Sequence, residues 1–138
     1  MNAIGKLSIP LVALVLSACG GMHGYGGSSG MDGMHSASPT MVRGGILTNS
    51  AGMTLYTFDR DPGDASKSAC NGQCATNWPP LMAGAADTSR GDWAVVMRDD
   101  GSKQWAYKGK PLYLWIKDAK PGDTTGDGVN SVWHTARP

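Results

Sequence analysis

Glutamate is absent from this chain: all 11 acidic residues are aspartate. Glutamate suits helix interiors, whereas aspartate competes for backbone hydrogen bonds and favours turns and caps. Long helices are therefore not expected. Histidine occurs only at His23, His35 and His134, and phenylalanine only at Phe58. No apolar run reaches the ~20 residues that a membrane-spanning helix needs. Charge of either sign is scarce and balanced, with a formal net charge of +1. Nucleic-acid binding, which requires a basic face, is thereby not expected. No G-x-S-x-G elbow, phosphate loop or H-E-x-x-H occurs, so no enzyme activity is expected. A lone His134 beside Trp133 reads as structural rather than catalytic.

What remains is turn-forming and strand-forming material, including 20 glycines, 8 prolines and 5 tryptophans. At the start, Lys6 precedes the apolar run Leu7 to Val15, which is interrupted by Ser8 and Pro10. Leu16-Ser17-Ala18 then leads to Cys19. A positive start, a short apolar middle and a small-residue exit read as a secretion signal. Small residues followed by cysteine resemble the lipobox of bacterial lipoproteins. That resemblance implies removal of residues 1–18 and lipidation of Cys19 by fatty acyl chains such as palmitate. The membrane is then a partner through the lipid anchor. Gly20 stands where an aspartate often marks inner-membrane retention, which implies the outer membrane, facing the periplasm, in a Gram-negative cell.

Residues 19–41 read as lipid anchor plus flexible tether, rich in glycine and serine. The tether is also rich in methionine and histidine: Met22, His23, Met31, Met34, His35 and Met41. Thioethers and imidazoles suit copper, so an alternative function is a periplasmic copper-binding or redox accessory protein using this tract.

The folded domain is expected over residues 42–138, and it contains an internal repeat. Gly52-Met53-Thr54-Leu55-Tyr56-Thr57-Phe58 aligns with Gly109-Lys110-Pro111-Leu112-Tyr113-Leu114-Trp115, and Asp61 and Asp118 follow at matching positions. Each copy reads as a β-hairpin. In the first, Gly45–Thr48 turns through residues 49–52 into Thr54–Phe58. In the second, Trp93–Met97 turns at Asp99-Asp100-Gly101 into Gln104–Tyr107 and continues through Lys108-Gly109-Lys110 to Leu112–Ile116. A last strand is expected over Ser131–Thr135. One helical turn is expected around Cys70–Trp78, stopped by Pro79-Pro80. The fold class is all-β, mainly antiparallel: one small domain of two pseudo-repeated hairpin units.

The two Tyr-x-[Phe/Trp]-x-x-Asp motifs, Cys70-x-x-x-Cys74-Ala75-x-x-Trp78-Pro79-Pro80-Leu81, and Gly122-Asp123-x-x-Gly126-x-Gly128 before Trp133 resemble a family of bacterial lipoproteins. It is named for the Yx(FWY)xxD motif and described as a secreted repeat of unknown function. The resemblance implies an exported, often lipid-anchored, repeat-built β domain. The family commonly has glutamine where this chain has Asp127, so acid chemistry there is not implied.

Tyr56, Phe58, Asp61, Tyr113, Trp115 and Asp118 form either a ligand platform or core aromatics with turn-capping aspartates, and the second reading fits a sheet buried on both faces. Cys70 and Cys74 suit a structural disulfide in an oxidising compartment, with a redox pair or soft-metal site as alternatives. Asp123–Gly128 only partly matches a calcium loop and reads as an Asp/Gly turn. No cofactor is expected, with copper on the methionine/histidine tract as the alternative. The function expected is a non-catalytic binding or structural module of the cell envelope, with an envelope partner that the residues do not name.

Overall fold

The computed structural model describes residues 38–138. Seven short strands and one helical turn occur among them: β1 (Met41–Arg43), β2 (Ile46–Thr48), β3 (Tyr56–Phe58), α1 (Gln73–Asn77), β4 (Trp93–Met97), β5 (Lys103–Tyr107), β6 (Lys110–Pro111) and β7 (Trp133–Thr135). Every ladder is antiparallel, pairing β1 with β2, β3 with β7, and β4, β5 and β6 in order. Single bridges at Thr48–Thr54 and Tyr56–Tyr113 link the three ladders. The fold is thus all-β and antiparallel, with α1 beside the disulfide, as expected.

Thr40 is buried, and Met41 opens β1 opposite Thr48. Gly44 and Gly45 both have positive φ, +57° and +77°, which gives β1 and β2 a two-residue hairpin turn. Sequence reasoning names no hairpin at this point. The expected strand Leu112–Ile116 does not form: the ladder stops just before it, at Lys110–Pro111, and only the isolated bridges of Tyr113 follow. The expected last strand loses its start, because Val129–Ser131 forms a 3-10 turn before β7.

Backbone hydrogen bonds recur in matched pairs. Leu55 N–H donates to Leu47 O at 3.0 Å, and Leu112 N–H to Trp105 O at 3.0 Å. Ala136 N–H donates to Leu55 O at 2.8 Å, and Leu81 N–H to Leu112 O at 2.9 Å. Each copy's final segment therefore crosses over to complete the other copy. At the centre, Tyr56 N–H donates to Tyr113 O at 2.8 Å and Tyr113 N–H returns to Tyr56 O at 3.0 Å. This reciprocal pair lies on a pseudo-two-fold axis that relates the copies.

The central segments are buried on both faces. Alternation along an extended strand sends Leu55 and Leu112 to one side and Tyr56 and Tyr113 to the other. Leu47, Leu55, Leu112 and Ala136 form one core, while Tyr56, Cys70, Trp78, Tyr113 and Trp133 form the second. Full burial of each leucine contributes roughly 1.5–3 kcal/mol, so the two-sided strand is the main apolar support.

Gly109 permits a close approach that no other residue type allows. Its φ is +85°, and a Cβ there would land on the carbonyl oxygen of Gly63. Gly101 has a nearly equal φ, +84°, but open space around it. Gly101→Ala is therefore expected to cost only the left-handed backbone penalty, about 1–2 kcal/mol. Gly109→Ala is expected to cost visibly more, because the Asp61–Ala69 loop must also shift. Urea midpoints of the two variants check this; equal losses would contradict it.

Candidate functional site

The motif residues meet across the two copies rather than within one. Tyr56 Oη donates to Asp118 Oδ2 at 2.7 Å, and Tyr113 Oη donates to Asp61 Oδ2 at 2.6 Å. Both tyrosines are fully buried. Each phenol oxygen has a further partner: Gly126 N–H donates to Tyr56 Oη at 3.2 Å, and Ser68 Oγ lies 2.6 Å from Tyr113 Oη. Each aspartate also ties down the loop that follows it. Asp61 Oδ1 accepts from Ala69 N–H at 2.6 Å, and Asp118 Oδ1 accepts from Thr125 N–H at 3.0 Å and Thr125 Oγ1 at 2.6 Å. The aspartates hold whole loops rather than short turns.

These surroundings set the acid–base properties. Burial, and then the hydrogen bond each donates to a carboxylate, raises both phenols well above the ordinary tyrosine range. Burial also pushes the Asp61 carboxyl up; hydrogen bonds from Tyr113 and Ala69, and the attraction of Arg98, only partly offset it. Neither tyrosine is set up as a phenolate, so the arrangement locks the fold instead of supplying a base.

Arg98, which sequence reasoning did not single out, organises the polar side of this core. It is buried, and its guanidinium donates to Gln104 Oε1 at 2.7 Å, Cys70 O at 2.6 Å and Ser68 Oγ at 3.0 Å. Buried Gln104 passes the chain on, donating from Nε2 to Leu112 O at 2.8 Å. The only sequence signal for this network was a strand position at Gln104 where an apolar residue would suit the alternation. Cys70 and Cys74 are joined by a disulfide, with Cα atoms 5.2 Å apart. A bridge spanning so few residues pins the start of α1 and presents Cys70 O to Arg98.

Four rings form a column in the order Trp115, Trp78, Trp133 and Phe58, with centroid spacings of 3.9, 3.8 and 4.3 Å. It too alternates between copies. Phe58 and Trp115, half-buried, close its ends. Gly126 is small because a Cβ there would lie 2.8 Å from the Trp78 ring and 2.9 Å from the Tyr56 ring.

Asp123 and Asp127 are engaged within the chain: Asp123 Oδ2 accepts from Ala119 and Lys120 N–H, and Asp127 Oδ1 from Thr135 N–H. Among the described residues no cluster of histidine, cysteine and carboxylate side chains suits a metal ion. Met22, His23, Met31, Met34 and His35 lie outside the described residues, as does Cys19. Met41 sits in β1, exposed. His134 Nε2 lies 2.8 Å from Asp59 Oδ2 on the surface.

A family model described as a secreted repeat of unknown function matches the chain twice, over residues 40–82 and 94–137. The chain belongs to that family, and the two matches coincide with the halves related by the pseudo-two-fold axis. Neither a curated protein nor a solved structure matches it. No helix among the described residues is long and apolar enough to cross a membrane.

The cross-copy pairing is open to a double-mutant cycle. Tyr56→Phe combined with Asp118→Asn should show a coupling energy of about 1–3 kcal/mol, whereas Tyr56→Phe with Asp61→Asn should be additive within about 0.5 kcal/mol. Coupling confined to pairs within one copy would refute the arrangement. Asp61 also predicts a pH effect. A carboxyl whose folded pKa lies above its unfolded 3.8 stabilises the fold fully below that value. The contribution is lost as pH rises through the folded value. The stability of the native chain relative to Asp61→Asn should therefore fall as pH rises above the ordinary aspartate value, as urea titrations at each pH would register.

Proposed function

We propose that this chain is an exported lipoprotein whose folded part is a non-catalytic binding module of the cell envelope. In this reading residues 1–18 are a signal that is removed, Cys19 carries the lipid, and the segment to residue 41 is a tether. The outer membrane, facing the periplasm, is the proposed location, supported by Gly20 after the lipidated cysteine. Membership of a secreted-repeat family supports export. The disulfide fits an oxidising compartment.

One observation carries the non-catalytic part. The groups that a catalytic reading would recruit, Tyr56, Tyr113, Asp61 and Asp118, are spent on one another, the first two and Asp118 buried and Asp61 half-buried. A group held this way cannot meet a substrate without opening the fold. Binding at the surface remains available to the module, and the tether sets its reach from the lipid.

The anchor is tested in a bacterial host by labelling with a clickable palmitate analogue, followed by fractionation. The native chain should be labelled, lack residues 1–18 by mass spectrometry and sediment with membranes; Cys19→Ser should be unlabelled and soluble. A native chain that stays unlabelled and keeps its first eighteen residues would overturn the proposal.

A further inference from the structure

One cleft breaks the symmetry of the duplication. It lies between the β3–β7 ladder and the β5–β6 turn, has a volume of about 310 Å³, and includes Thr57, Lys108, Lys110, His134 and Arg137 in its walls. That volume falls at the small end of ligand pockets. Its floor is apolar, formed by Leu112 and Ala136 of the leucine core. Lys108 and Lys110 belong to one turn, Arg137 follows β7, and all three are exposed. None of the three makes an ion pair among the described residues. The carboxylate in the cleft, Asp59, is engaged by His134 at 2.8 Å.

The duplication supplies an internal control. Where the second copy has Lys108 and Lys110, the first has Ala51 and Met53. Where the first copy has Thr57 and Asp59, the second has Leu114 and Ile116. Positions the fold needs, such as Leu55 and Leu112 or Tyr56 and Tyr113, are the same in both. The charges of this cleft are therefore not demanded by the architecture.

Lys108 is also held at a cost. Its φ is +49°, followed by Gly109 at +85°. A two-residue hairpin turn with both φ positive favours asparagine before glycine, because asparagine tolerates the left-handed region. A lysine there carries local strain, which tends to collect where a side chain serves a ligand.

We propose that this cleft binds a phosphate group, either free or in a lipid headgroup, through Lys108, Lys110 and Arg137. Three cations lining one cleft suit an anion of more than one charge better than a simple carboxylate. His134 and Thr57 offer hydrogen-bonding groups at the same wall. The assignment rests on the reading of the domain as a binding module and names the chemistry of its ligand.

The full chain carrying Cys19→Ser, free of acyl groups, is titrated calorimetrically with pyrophosphate and with acetate. It is also co-sedimented with phosphatidylglycerol vesicles and phosphatidylcholine vesicles. Saturable binding of pyrophosphate, or of phosphatidylglycerol vesicles over phosphatidylcholine ones, supports the site. Pyrophosphate binding without a preference for phosphatidylglycerol vesicles assigns the free source; a preference for those vesicles that pyrophosphate displaces assigns the headgroup, and vesicle binding that pyrophosphate leaves untouched counts against the cleft. Lys110→Met and Arg137→Gln should each weaken binding about tenfold, and higher salt should weaken it further. Lys108→Asn is the decisive variant: it should weaken binding while leaving the urea midpoint unchanged or raised. No binding of either probe, equal binding of acetate, or affinities untouched by the three variants would overturn the site. Palmitate labelling reports on the anchored module separately, so failure at the cleft is distinguishable from failure of that reading.

Discussion

Tyr56 and Tyr113 exchange two backbone hydrogen bonds, and each hands its phenol proton toward an aspartate of the opposite copy. Most of the domain depends on this crossed pair. A buried phenol or carboxylate without a partner would cost about 1–3 kcal/mol, or more for the charged group. Here each acceptor is also the anchor of a long loop, so the Asp61–Ala69 and Asp118–Thr125 loops are fixed by the tyrosines they serve. The bond that satisfies the core thereby shapes the surface.

The same logic extends to the rings and the backbone. The column of Trp115, Trp78, Trp133 and Phe58 alternates between copies, and the end segments around Leu81 and Ala136 cross over. The motif spacing thus has a physical cause. Tyrosine and the aromatic two residues on share a face, which puts the phenol at the axis and the second ring at the end of the column. The aspartate follows beyond the strand, where its loop can return to the other copy's tyrosine. Arg98, backed by Gln104 of its own copy, adds a polar brace to Ser68 and the disulfide-bonded Cys70 of the other copy.

The strands around Tyr56 and across Trp93–Tyr107 were legible because alternation and Asp-Gly or Lys-Gly turns are local signals. The short helix at Cys74 was legible for the same reason, with Pro79-Pro80 ending it. The β1–β2 hairpin escaped notice because Gly44-Gly45 adjoins a stretch already rich in glycine, so its turn did not stand out. The irregular course after Tyr113 and before Trp133 follows from the crossing bridges, which no local pattern announces. The aspartate partners were hidden for a related reason. Spacing within a copy suggested capping of nearby turns, whereas the partner lies 62 residues away for Tyr56 and 52 for Tyr113. The charged cleft was invisible in composition because Arg137 lies far along a nearly neutral chain from Lys108 and Lys110.

The crossing of the end segments has an evolutionary side. Where each half finishes the other, the surface between them is self-complementary, as in a two-fold homodimer. A chain of half this length would bury its tyrosine and leucines only by pairing with a second molecule of itself. Fusion through residues 83–93 makes that association intramolecular, free of any dependence on concentration. Once fused, the two halves no longer had to be identical, and one could diverge in charge while the shared interior stayed as it was.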